Sequence, residues 1–182
     1  MRTRFLTIPA IALCAVACST TSMTSSSAVG AGINDADIAQ IVTTANQGEI
    51  DEGNAALQKA SSADVRAFAQ MMVTDHTNAL TQTSNLVSNR NIMPNTANDI
   101  ASTLQGGARQ TIANLSTYSG ADFDRQYINA QVDLHQWLLG QLDKALIPAA
   151  SDRRLRDLLQ TQRTAVAAHL DRARQIQGTL GR

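Results

Sequence analysis

From residue 35 onward, apolar positions recur every three or four residues, the spacing of one helix face. Asn34 and Asp35 offer an N-cap, and Ile38, Ile41, Val42, Ala45, Glu49, Glu52 and Ala56 mark a stripe that predicts a first helix to about residue 60. A second helix, capped at Ser61 or Ser62, carries Val65, Phe68, Ala69, Met72, His76, Ala79, Leu80, Thr83, Leu86 and Val87 and ends near 89–91. "NIMPNT" then breaks the chain at Pro94, and 97–117, with Gly106 and Gly107, reads as one bent helix or two short ones. "SGADFDRQY" opens a third long helix, with Ser119 or Asp122 near its start. Its stripe is Phe123, Tyr127, Gln131, His135, Leu138 and Leu142, running to about Leu146 before Pro148. The fourth is capped at Ser151, shows Leu155, Leu158, Leu159, Gln162, Ala165, Val166, His169, Ala173 and Ile176, and is expected to stop at Gly178.

Connections of a few residues make helices 1–2 and 3–4 antiparallel hairpins. Some thirty residues separate helices 2 and 3, enough to travel one helix length of roughly 40 Å. The expected fold is therefore all-α, a ferritin-like four-helix bundle with a long crossover between helices 2 and 3, spanning 34–180. Composition agrees: aromatics are 3% of the 182 residues and there are three prolines, which disfavours a sheet of β-branched and aromatic runs.

The first residues have another purpose. "MRTRF" is basic, "LTIPAIALCAVA" is a short apolar core, and small residues follow, so 1–17 reads as a signal peptide. Ala15-Val16-Ala17-Cys18 resembles the lipobox of bacterial lipoproteins, with Cys18 as the lipidated residue; simple cleavage after Ala17 would instead release a soluble periplasmic form. The Ser/Thr/Gly-rich remainder of 18–33 reads as a flexible tether. Ser19 after the cysteine implies, by resemblance to enterobacterial sorting, an outer-membrane destination. The two cysteines are Cys14 and Cys18, so nothing beyond residue 18 can form a disulfide or a thiolate metal site. Without Arg2 and Arg4 the chain carries 13 basic and 15 acidic residues, with no basic surface for nucleic acid. The expected partners are a membrane, through the lipid on Cys18, and an unidentified envelope protein.

The polar residues on the stripes carry the candidate chemistry. The chain has three histidines, His76, His135 and His169, one on each of helices 2, 3 and 4. Its two glutamates, Glu49 and Glu52, both fall on helix 1. Glu49, His76 and His135 lie near mid-helix and His169 slightly later, so a bundle of equal helices brings them towards one layer. Three imidazoles and the Glu49 carboxylate suit one divalent metal ion such as Zn, Mn, Fe or Cu. Asp75, Tyr127 and Asp133 are candidates for orienting those ligands. Alternatively the histidines are neutral core residues, hydrogen-bonded to Tyr127, Gln131 or Gln162 and fixing only the helix register. A di-iron carboxylate centre is excluded: it needs Glu-x-x-His pairs, whereas Val73, Val132 and Val166 stand three before the histidines. No phosphate loop or nucleophile elbow is present, Trp137 reads as packing, and Met71 and Met72 read as core filler.

"VRAFAQMMVTDHTNAL" (65–80), "GADFDRQYINAQVDLH" (120–135) and "HLDRARQI" (169–176) together resemble the signature blocks of domain of unknown function 4142. The resemblance implies an exported bacterial protein, of the kind labelled predicted outer-membrane protein, with a ferritin-like helical bundle. Asp75-His76, Phe123-Asp124, Tyr127, His135 and His169 match the family's recurring positions. Where the family often has Asp-His in the third helix, this chain has Leu134-His135, with Asp133 one place early. Three functions remain open at this stage: a metal-holding envelope module, a metal-dependent redox or stress-protection enzyme, and an interaction scaffold without chemistry.

Overall fold

The computed structural model describes residues 32–180, so the leader, Cys18 and nearly all of the tether lie outside the described residues. The described chain is all helix: α1 (Asp35–Lys59), α2 (Ala63–Asn89), α3 (Asp99–Ser116), α4 (Gly120–Gln141), a π-helical stretch Leu142–Leu146, the short α5 (Ile147–Ala149) and α6 (Arg153–Leu180). None of these helices is long and apolar enough to cross a membrane.

Helix ends are fixed largely by side chains from other elements. α1 begins with a capping box, in which the Asn34 side chain accepts from the Ala36 and Asp37 amides and the Asp37 carboxylate accepts from the Asn34 amide. Ser62 occupies the N-cap of α2 without capping it through its side chain. Asp124 of α4 takes that role, accepting from the Ser61 amide (3.0 Å), the Ser62 amide (2.8 Å) and the Ser61 hydroxyl. Asp35 does the same for the start of α6, accepting from the Ser151 and Asp152 amides at 2.8 and 2.9 Å. Within α6, Asp152 rather than Ser151 is the cap, its Oδ1 accepting from the Arg154 and Leu155 amides. α2 ends in a Schellman motif: Asn91 has φ 52°, and the Asn91 and Ile92 amides return to the Ser88 and Val87 carbonyls.

The region 97–117 forms one helix, α3, from Asp99 to Ser116. Asn95 and Asn98, just before α3, donate to Asp37 at the start of α1, while Lys59 at the end of α1 donates to the Leu115 and Ser116 carbonyls. The crossover therefore runs parallel to α1 along its whole length. Gly178 does not end the last helix, which continues to Leu180. A single glycine costs about 1 kcal/mol in a helix interior and is tolerated when flanking packing holds, here from buried Ala173 and Ile176.

The core is divided in two. One apolar cluster gathers around Phe68, Met72, Phe123, Tyr127 and Ile128, the other around Ile38, Leu142, Leu155 and Leu159. Between them, along each long helix, fall the buried polar residues: Asn46, Glu49 and Glu52 on α1, His76 on α2, His135 on α4 and His169 on α6. α1 comes close to α2 at Gly53, where a Cβ would lie 2.8 Å from Val73 Cγ2.

Candidate metal centre

The three imidazoles meet. Ring centroids lie 5.2 Å (His76–His169), 5.5 Å (His135–His169) and 6.1 Å (His76–His135) apart. One nitrogen from each falls within 4.8 Å of the others, and all three side chains are buried.

Each ring is locked by its outer nitrogen. His76 Nδ1 lies 2.8 Å from Asn46 Oδ1, and the Asn46 amide nitrogen donates to the Val42 carbonyl, so Asn46 presents its oxygen to the ring. His135 Nδ1 lies 2.9 Å from the Gln131 carbonyl, and His169 Nε2 lies 3.0 Å from Asp75 Oδ2. A carbonyl, an oriented amide oxygen and a carboxylate can only accept, so all three outer nitrogens carry the hydrogen. The inner nitrogens, His76 Nε2, His135 Nε2 and His169 Nδ1, are then bare lone pairs, and each is buried without a partner.

Three buried acceptors in one cluster with no protein donor among them is an unfavourable arrangement unless a cation or a bound water joins them. Burial pulls all three pKa values below the ordinary 6.5, that of His135 to about 4, with the neighbouring imidazoles adding to the effect at His76. At neutral pH the rings are uncharged, the form in which imidazole binds metal. The acceptor behind each ring is the support usual for ligating histidines. Metal–nitrogen bonds of about 2.1 Å place ligand nitrogens about 3.4 Å apart, so metal binding draws the rings inward.

Residues 19–176 match the family model described as Domain of unknown function (DUF4142). The chain belongs to this family. No curated protein and no solved structure matches it. Membership in DUF4142 assigns no activity, so the chemistry of this chain must be read from its own residues.

The other residues singled out in the sequence are placed differently. Glu49, expected as the fourth ligand, does not join the histidine group: its Oε1 lies 3.6 Å from His135 Nδ1, the nitrogen already bonded to the Gln131 carbonyl. Asp75 serves a histidine on another helix, as its position one residue before His76 implies, since adjacent helical side chains point about 100° apart. Tyr127 bonds to none of the histidines; its ring stacks on Phe123 and meets Phe68 edge-on. Asp133 is exposed, because α4 turns it away from the core stripe of Gln131 and His135 towards a cleft beside α1 and α3. Trp137, read as packing, is 42% exposed on that cleft's rim.

Two contributors escaped the sequence reading. Asn46 lies on the α1 stripe between Val42 and Glu49, and a buried amide one turn before a buried carboxylate was the available signal. The Gln131 backbone carbonyl carries no side-chain signal at all. His76 and His169 also line an apolar chamber of about 60 Å³ with Leu138, Leu142 and Val166, which has room for a water or another small ligand beside the rings.

Proposed function

We propose that this DUF4142 protein is an exported, lipid-anchored ferritin-like four-helix bundle that holds one divalent transition metal ion between His76, His135 and His169. One observation carries the metal reading: three tautomer-locked imidazoles bring one nitrogen each within 4.8 Å, and each leaves one bare, buried nitrogen with no protein donor. A purely structural histidine cluster would pair those nitrogens with donors, so the scaffold reading fits less well. The donor set is all imidazole nitrogen, which suits Zn, Cu or Fe and leaves positions for a small exogenous ligand.

The bundle reading is supported by the antiparallel pairs α1/α2 and α4/α6 and by the lengthwise crossover through α3. Export and a lipid on Cys18 are supported by the basic, apolar and small-residue segments of the leader. Labelling cells with a fatty-acid analogue tests the anchor: label on the wild type and none on Cys18→Ala is expected, and an unlabelled wild type overturns it.

Titration of chelator-stripped protein with Zn²⁺, Cu²⁺ and Fe²⁺ tests the centre. A single saturating site with a raised melting temperature is expected, since a ligand of the native state alone must stabilise it. His135→Ala should lose that affinity. A melting temperature unmoved by any of the three ions would refute the proposal.

A further inference from the structure

On the far side of His135 lies a second set of buried polar atoms that the trihistidine centre does not use. Glu49 is 1% exposed, and both of its carboxyl oxygens lack a partner. Gln131 and Tyr127 are fully buried, and the Gln131 Oε1 and the Tyr127 hydroxyl are likewise unpartnered. Within the set, Gln131 Nε2 donates to Glu52 Oε2 at 2.9 Å, which turns the Gln131 side-chain oxygen away from that carboxyl.

Helix geometry explains the grouping. Glu49 and Glu52 are one turn apart on α1, and Tyr127, Gln131 and His135 follow each other at intervals of four along α4. The two stripes face each other in the polar layer. Every orphaned atom in the set is an oxygen, a composition unlike the all-nitrogen centre on the other side of His135. Oxygen-only donors select hard cations, which accept carboxylates in one- or two-oxygen modes together with amide oxygens.

Access is also built in. Glu49 and Glu52 line a cleft of about 410 Å³ between α1, α3 and α4. The cleft is bounded by Gly48 and Gly107, and at Gly48 a Cβ would come within 3.1 Å of Ala108. An ion can therefore reach the carboxyls from outside without entering through the histidines.

We infer that Glu49 and Glu52 form a second, oxygen-donor site for a hard divalent cation of the Ca²⁺ or Mn²⁺ kind, with the Gln131 amide nitrogen and the Tyr127 hydroxyl steadying the carboxylates. The site adjoins His135 but uses none of the trihistidine centre's nitrogens, and the inference does not rest on metal being held there.

Terbium(III), a luminescent substitute for Ca²⁺ on oxygen ligands, is the probe. Excited through Tyr127 and Trp137, full-length wild-type protein should show saturable terbium emission that Ca²⁺ or Mn²⁺ displaces. The double variant Glu49→Gln/Glu52→Gln should lose more than about tenfold in affinity. His76→Ala, which disables the nitrogen centre, should keep the emission unchanged. Emission that persists in the double variant means surface carboxylates only and overturns the proposal. The melting temperature of the wild type provides a check that needs no variant to fold: Ca²⁺ or Mn²⁺ should raise it in protein whose histidine centre is already filled with Zn²⁺. No rise, with no displaceable emission, leaves Glu49 and Glu52 as buried neutral acids without an ion.

Discussion

Asn46 does no coordination, yet it decides which nitrogen of His76 is free. Its amide nitrogen is committed to the Val42 carbonyl, so its oxygen must face the ring and hold the hydrogen on Nδ1. Replacing it with alanine frees the ring to rotate or change tautomer, and loss of such a supporting partner costs about 10- to 100-fold in metal affinity. Asn46→Ala should therefore bind Zn²⁺ more weakly by that factor in a chelator competition, while its circular dichroism spectrum stays helical. Unchanged affinity would mean that packing, not this bond, orients His76. The titratable residues of the same layer make a second prediction, for metal-free protein. An imidazole depressed by burial contributes stability that is complete above its unfolded pKa near 6.5 and is lost as pH falls towards the folded value, about 4 for His135. Glu49 and Glu52 work in the opposite sense. Burial raises both from 4.5 to about 8, so their contribution is complete below 4.5 and is lost as pH rises through 8. Above 6.5 only the carboxyls act. Stability in urea, measured in chelator, should fall between pH 6.5 and 8, and that limb should vanish in Glu49→Gln/Glu52→Gln. A flat or rising limb in the wild type contradicts the burial of these acids. At this scale the histidines were legible in the sequence because each interrupts an apolar stripe, and Asp75 was legible as a side chain aimed at a neighbouring helix; the Gln131 carbonyl behind His135 was not, since a backbone carbonyl leaves no periodic mark.

Among the helices, the long-range caps are the feature that ties one element to another. Asp124 lies on α4, but three of its hydrogen bonds close the turn between α1 and α2. Alanine at 124 leaves two buried-edge amides and a hydroxyl without an acceptor, a loss of about 2 kcal/mol. Asp122, two residues earlier, is 69% exposed and pairs with Arg125 of its own helix, so Asp122→Ala should shift the denaturation midpoint little. Equal midpoints for the two variants would show that Asp124 is not a cap. Gly53→Ala tests the α1–α2 approach in the same assay: its methyl group would meet Val73 Cγ2 at 2.8 Å and the Ala69 carbonyl at 3.2 Å, a clash costing about 1–3 kcal/mol. The helices themselves followed from the 3.6-residue stripes, whose buried positions the structure reproduces at Ile38, Phe68, Tyr127 and Leu159. Their ends were less legible. Ser61, Ser62 and Ser151 looked like caps in sequence, but the capping oxygens come from Asp124, Asp35 and Asp152; the first two of these belong to other helices, and tertiary proximity has no local signature. Position 165 was expected on the buried stripe of α6 and is exposed, while Leu170 takes a core place.

In the molecule as a whole, stability is unevenly distributed. α1, α2, α4 and α6 each bury several large side chains, whereas α3 buries only Ala101 and Leu115 along its 18 residues. α3 is also tied down mainly at its two ends, by Asp37 with Asn95 and Asn98 and by Lys59 on the Leu115 and Ser116 carbonyls. An element with little buried apolar surface opens locally at a lower free energy than the core. α3 amides should thus exchange with solvent faster than those of the other long helices, and each opening uncovers the cleft over Glu49 and Glu52. The trihistidine centre joins a different set of elements, α2, α4 and α6. Metal there should slow exchange in those three helices together, because global opening must release the ion, and should leave α3 nearly unchanged. Hydrogen-exchange mass spectrometry with and without Zn²⁺ separates the two behaviours. Protection of α3 equal to that of α4 in metal-free protein would contradict the crossover as the weak element, and a Zn²⁺ effect confined to α3 would contradict a centre built by the other three.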